Sequence, residues 1–449
     1  MAAAPMLSVK RQIVLAAYWF GIEFLWGSFL ALVLPFILVP ENGSGTPLVP
    51  ASQKNTALAA LEGLGLVVAL VIQPAAGAWS DRLRTRWGRR RPLMVVGTAG
   101  GVLSLLLIAA APTFWWLVGA YVLLQLGMNV SQGGYQGLLP DTVCGAQRGD
   151  ASGWMAVATL GGQVAGTAVG GFVSPRVACV PIAIVVGVTA LITVVGVPER
   201  QRPALEVVQR TARGLRRSAA SLRGYLAEFA AYPDFCWVVL SRFCAYTGLA
   251  CIQRFAANYL RDNFDSYRLF GVLDLGRAQA ATGILFAVVI LFGLAATYPA
   301  VRISERAGRR PVIIAASLLG GLGTLLFTFA SSLTVVVIEA IPVGIAFGML
   351  VSVDWAYMAD LAPKQRSGKF LGFSNIAVAG SQAFAPFLLA PVIDAVDNST
   401  HSTLGYRVMF LTATVFFVLG AVVLSRVRVH KIEDEETLAP LALRLADTR

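Results

Sequence analysis

The 449 residues are 57% apolar and only 13% charged, against roughly 25% charge in an ordinary soluble domain, and the mean hydropathy is +0.70. That balance excludes a water-facing globule, because too little polar surface exists to cover one, and most of the chain must meet lipid. The net charge of +12 does not point to nucleic acid either: most of the arginines and lysines gather in loops of one side, the asymmetry that orients membrane proteins.

A hydrocarbon core takes ~20 helical residues per crossing. Apolar segments run approximately over 12–39, 57–80, 93–111, 115–139, 151–173, 177–197, 235–260, 280–302, 312–331, 334–359, 370–393 and 405–425. All are predicted helices, since an isolated strand cannot satisfy its backbone in lipid. Twelve crossings use up the chain. The arginines fall in loops 81–92, 198–234, 302–311 and 361–369 and at both termini, which places both ends in the cytoplasm of a multi-pass inner-membrane protein. The first segment has no small-residue cleavage pattern and reads as a retained helix.

In chain order, the first segment carries Glu23 near its middle, flanked by Trp19, Phe20 and Trp26. An ionised side chain at that depth costs at least ~3 kcal/mol and asks for a partner or a job. Glu23 is the leading proton-carrying carboxylate; the rings could stack on a solute or simply pack. Glu62 follows in the second segment and Arg254 in the seventh, both near the outer ends, where reaching back to the headgroups competes with a site role. The second segment leaves the bilayer through GAWSDRLRTRWGRRRP, Gly77 to Pro92, a cationic hairpin with one carboxylate inside it. The fourth segment spaces Gln125, Asn129, Gln132 and Gln136 four, three and four apart, which sets them on one helix face. That stripe suits a hydroxyl-rich ligand, or it joins helices.

The basic stretch 198–234 separates six segments from six, so the expected division is a bundle over 1–197, a linker over 198–234, a second bundle over 235–428 and a tail over 429–449. In the second half Arg242 and Tyr246 lie on the seventh segment, Glu339 and Asp354 on the tenth, and Asn375 and Gln382 on the eleventh. Glu339 and Asp354 are further proton-coupling candidates, with Asp354 alternatively a structural partner of Arg242. Arg242, Tyr246, Asn375 and Gln382 are candidate substrate contacts beside Trp19, Trp26 and the four amides of the fourth segment. The halves repeat. TYPAVRISERAGRRP (Thr297 to Pro311) mirrors the first hairpin, with Glu305 at the place of Asp81 and Gly308-Arg309-Arg310 at Gly88-Arg89-Arg90. PDTVCGAQRGDASGW (Pro140 to Trp154) mirrors ADLAPKQRSGKFLGF (Ala359 to Phe373). Such duplication predicts two bundles about a pseudo-twofold axis normal to the membrane, with a site between them.

The hairpin resembles the signature loop of the major facilitator superfamily. Its four extra residues, Arg84 to Trp87, are similar to the longer form in plant sucrose–proton symporters and the glycoside–pentoside–hexuronide cation symporters. The resemblance implies an all-α membrane protein, twelve transmembrane helices in two pseudo-symmetric six-helix bundles, with helices 1, 4, 7 and 10 around a central cavity. It also implies a cytoplasmic gate made of Gly77, Asp81, Arg82, Gly88, Arg89, Arg90, Asp141 and Arg148 in one half and Glu305, Arg306, Arg309, Asp360 and Arg366 in the other. Within the fourth segment, QLGMNVSQGGYQGLLPD (Gln125 to Asp141) aligns with the sucrose symporter run, but Gln125 replaces that family's protonatable aspartate and Gln136 its substrate-associated arginine. The implied function is secondary uptake of a sugar or glycoside with a cation, H⁺ by expectation. Gly153, Gly162, Gly166, Gly170 and Gly171 are similar to an exporter signature, with Thr167 at its proline, so proton-driven export of amphipathic molecules is the alternative; close helix packing explains the same glycines. The partners are then a small solute, the cation and lipid, with a monomer the simplest unit. No enzyme, cofactor or metal is expected: there is no phosphate-binding loop, the five cysteines lack CxxC spacing, and the two histidines, His401 and His430, lie outside the segments.

Overall fold

The computed structural model describes residues 6–41, 45–83, 85–143, 147–197, 199, 229, 232–361 and 367–427. Most of the linker, Arg366, Cys144 and the tail after Val427 therefore lie outside the described residues, as do the side chains of Asp81, Arg148 and Asn375. Twelve long helices follow one another: α1 (Val9–Leu38), α2 (Lys54–Arg82), α3 (Arg91–Ala109), α4 (Phe114–Gln136), α5 (Arg148–Phe172), α6 (Pro175–Gly196), α7 (Pro233–Asn263), α8 (Ala278–Ala307), α9 (Arg309–Phe327), α10 (Leu333–Leu361), α11 (Ser367–Thr400) and α12 (Leu404–Ser425). Eleven are long and apolar enough to cross a membrane. The other, α5, has 25 residues but is diluted by glycines, threonines and Gln163. Within α1 the turn Phe29–Val33 widens to a π-helix just before Pro35, whose ring and missing N–H are incompatible with regular α geometry behind it.

The packing repeats with the sequence. In the first half α1 packs on α5 and α6, α3 on α4 and α6, and α2 on α4; in the second, α7 packs on α11 and α12, α9 on α10 and α12, and α8 on α10. Each half encloses its own apolar core, while large apolar side chains such as Val96, Leu191, Phe387 and Val415 face outward, as lipid requires. The halves meet through α2 against α11 and α5 against α8, again a symmetric pair. Among the described residues, one departure from an all-helical chain sits between α7 and α8: a short hairpin, β1 (Arg268–Leu269) with β2 (Leu273–Asp274). Its turn holds Phe270 and Gly271 at φ of 52° and 71°, and glycine tolerates that region without strain.

The arginine hairpins fold as paired devices. Arg89 and Arg90 both bind Asp141, at 2.5 and 3.1 Å, and Arg309 binds Asp360 at 2.6 Å. Arg91 donates to the Val197 carbonyl past the end of α6, just as Arg310 donates to Leu424 and Ser425 at the end of α12. The leading glycines match, Gly88 and Gly308 both at positive φ, with Arg89 and Arg309 each on the aspartate of its half; the carbonyl contacts of Arg91 and Arg310 match on the proline that follows each loop. The first loop has an additional fastening that the second lacks among the described residues. The Glu199 carboxylate accepts from the amides of Arg89, Arg90 and Arg91, closest at 2.8 Å, capping the start of α3. Gly88, at φ 102°, is obligatory there: a Cβ would sit 2.1 Å from the Glu199 carboxylate.

Candidate functional site

A cavity of about 250 Å³ opens between the halves, and its wall is built from five helices. Trp26 comes from α1, Glu62 and Gln73 from α2, Gln125, Asn129 and Gln132 from α4, Arg254 from α7 and Gln382 from α11. The four-three spacing on α4 places three of its four amides on the cavity side. Gln125 donates to the Tyr121 hydroxyl at 2.8 Å, and Asn129 donates to the Gln125 backbone and side-chain oxygens at 2.8 and 3.1 Å, so the stripe is held in place along its own helix. Gly65 of α2 makes the room: a Cβ there would meet the Tyr121 hydroxyl at 2.5 Å and the Gln125 amide at 2.6 Å.

The centre of the wall is an ion pair between the halves. Arg254 approaches Glu62 at 3.1 Å and donates to the Gln382 side chain at 3.1 Å. Neither residue snorkels. Glu62 lies eight residues inside α2 and Arg254 nine residues before the end of α7, more than two turns of helix in each case. The Glu62 side chain is only 8% exposed, and its second oxygen Oε2 and the Arg254 Nε have no hydrogen-bond partner among the described residues. A buried polar atom without a partner is costly, so the pair is half satisfied where both residues line the cavity.

The remaining candidates separate into two groups. Arg242 pairs with Asp354 at 3.1 Å, donates to Ser374 at 2.6 Å and lies over the Tyr246 ring; this cluster is buried inside the second bundle and outside the cavity wall. Glu23 accepts from Gln163 of α5 at 3.0 Å, a structural partner that sequence spacing does not reveal. Trp19 donates to Thr159 at 2.6 Å and stacks on Tyr135, an internal packing role. Gln136 is exposed and away from the cavity. Glu339 is half-buried on α10, with its Oε2 unpartnered among the described residues. Among the described residues none of α10 lines this cavity, whereas residues of α2 and α11 do, beside those of α1, α4 and α7 that the resemblance implied. In the gate group, Gly77 faces the backbone of Gly133, Glu305 and Arg306 are exposed, and the described carboxylate–arginine pairs close within each half rather than across them. Glu62 and Arg254 are the functional candidates that sequence reasoning left undecided. Their signal was a pair of opposite charges at matching depth, one in each half.

Against known proteins, the sequence model of the Major Facilitator Superfamily matches residues 20–265 and 238–445. The chain is 28% identical over 194 residues to the general alpha-glucoside permease of Schizosaccharomyces pombe, covering 37% of this chain and 35% of that protein. It is 28% identical over 188 residues to the sucrose transport protein SUC4 of Arabidopsis thaliana, again 37% and 35%. These matches span about a third of the relatives' length. Among solved structures, a D-xylose-proton symporter superposes with a TM-score of 0.65 at 18% identity, over 95% of this chain and 99% of that one. A peptide transporter POT superposes with a TM-score of 0.70 at 14% identity, over 94% and 96%, so the likeness is one of fold.

Proposed function

The chain belongs to the Major Facilitator Superfamily, and on that footing we propose that this secondary transporter carries a neutral sugar or glycoside together with a proton through the cavity between its bundles. The observation that carries the reading is the chemistry of the cavity wall. Amides donate and accept at once, and five of them, Gln73, Gln125, Asn129, Gln132 and Gln382, meet there with one indole and a self-neutralising Glu62–Arg254 pair. A polyhydroxyl solute satisfies such a wall, and a charged one would oppose one member of the pair. The relatives named for an alpha-glucoside and for sucrose agree in substrate class.

Coupling follows from the half-satisfied pair. Ionised Glu62 holds Arg254 across the seam; protonated, it releases the guanidinium to a solute hydroxyl. One charge moving down 100 mV supplies about 2.3 kcal/mol, enough for roughly a fiftyfold gradient of a neutral solute, so one titrating carboxylate suffices. Glu62 takes that role ahead of Glu23, Asp354 and Glu339 because it alone of the four lines the cavity. Alternating access then has residues 1–197 rock against 235–428. The arginine-rich end faces the cytoplasm of the inner membrane and closes when Asp81, Glu305 and their neighbouring arginines meet the opposite bundle.

The α5 glycines that resemble an exporter signature also have a packing role. Close contact explains two of them: Cβ atoms at 162 and 166 would lie 2.5 and 2.3 Å from the carbonyls of Phe20 and Phe24 on α1. The test is counterflow in proteoliposomes against unlabelled sugars, glycosides and amphipathic drugs. Competition by α-glucosides and none by the drugs is expected; the reverse pattern overturns the sugar assignment.

A further inference from the structure

The end of the molecule opposite the arginine hairpins holds a polar network that spans the seam. Asp394, near the end of α11, accepts from the Thr56 amide and hydroxyl at 2.8 and 2.7 Å and from the Asn55 side chain at 2.8 Å. It thereby caps the first turn of α2, a helix of the other bundle. Glu41, just after α1, accepts from the Ala278 amide at 3.0 Å, capping the first turn of α8. Each bundle therefore supplies one carboxylate to one helix of its partner. Two independent geometric facts support a closed gate rather than incidental contact. The cap at α2 is continuous, with buried Asn258 bonded to buried Asn55 at 2.7 Å and Arg261 bonded to Asn258 and to the Val39 carbonyl. Beside the cap at α8, Gln279 and Arg277 donate to carbonyls at the end of α5, and the Gly171 and Gly283 backbones approach so closely that a Cβ on either would sit 3.0 Å from the other's Cα.

We propose that Glu41 and Asp394 form a reciprocal clasp, each carboxylate capping a helix of the opposite bundle, and that releasing both caps is the step that opens the cavity outward. A carboxylate at a helix N-terminus satisfies amides that nothing else in the helix can reach. Both caps are made between bundles, so both are lost when the bundles part at this end. A polar cavity of about 520 Å³ lined by Glu41, Arg261, Tyr267 and Asp274 lies on the α8 side, roomy enough for water to supply replacement hydrogen bonds as Glu41 lets go. The clasp depends on the transporter class alone and not on the identity of the solute.

The experiment is a distance measurement in lipid nanodiscs, with the native cysteines replaced by serine. Spin labels at W115C and F329C, both on exposed side chains, report the clasped end, and labels at W87C and I303C report the arginine-rich end. Loss of one cap, E41A or D394A, is expected to shift the ratio of parted to closed molecules roughly fivefold, and loss of both about thirtyfold. The longer distances at the first pair should be matched by shorter ones at the second. The E41Q/D394N variant keeps an acceptor oxygen at each site and should shift in the same direction by less. Unchanged distributions in E41A/D394A would overturn the proposal. So would broadening at both ends with no reciprocal shortening, because that reports loosening of the fold and not release of a clasp.

Discussion

One contact of 3.1 Å, Glu62 to Arg254, ties the two bundles at the cavity wall, and its energetics set the sharpest residue-level expectations. A buried pair is worth little on balance, but removing one partner strands the other at a cost of roughly 3–5 kcal/mol. Arg254→Ala should therefore cut transport by a hundredfold or more, on the order of what that cost implies, whereas Trp26→Ala should raise KM only severalfold, about the share of a single ring contact. Initial-rate uptake measures both. Glu62→Gln should retain exchange and lose uphill accumulation; retained accumulation would return the coupling role to Glu23 or Asp354. Residue scale is also where the sequence was hardest to read. The amides of α4 declared themselves by spacing, and Asp354 by its opposite charge to Arg242. Glu23 looked solitary because its partner Gln163 is 140 residues away. Glu62 and Arg254 looked like snorkelling charges because distance along a helix does not say which way a side chain turns.

At the scale of elements, packing explains the small residues and the caps. Gly162 and Gly166 let α5 lie against the carbonyls of α1, and overpacking such a contact costs about 1–3 kcal/mol. Gly166→Val should lower the melting temperature of the purified protein and reduce the yield of folded material, with little effect on sugar selectivity in what remains. Glu199 fastens the first arginine loop to the start of α3, and a lost cap is worth about 1 kcal/mol. Glu199→Ala should produce a small loss of thermal stability, and Glu199→Gln a smaller one. The twelve helices were legible because a lipid core leaves an apolar run little choice, and even α5, the least apolar, was found from its length. The hairpin between α7 and α8 was not. Its strands are two residues each, and its turn depends on Phe270 and Gly271 adopting positive φ, which no hydrophobic period reports. Glu199 was missed for a related reason: its value lies in three amides it meets only after the loop folds back.

For the whole molecule, the duplication seen in the hairpins reappears in every major contact. α1 with α5 and α6 answers α7 with α11 and α12, and the seam is the symmetric pair α2–α11 and α5–α8. The seam was inferable from the repeat, but its state was not: sequence cannot say that, among the described residues, polar bonds between the halves gather at the end opposite the arginines. The arginine loops should also fix orientation, so reporters fused to either terminus should be accessible from the cytoplasm and not from outside. The claim on which the account rests is that solute and proton enter the same inter-bundle cavity and cross together. It is tested most directly by recording external pH as an α-glucoside is added to proteoliposomes without a preset gradient. Alkalinisation outside the vesicles that saturates with the sugar and is abolished in Glu62→Gln is the predicted result. Counterflow of the sugar with no proton movement, or acidification in its place, would contradict it.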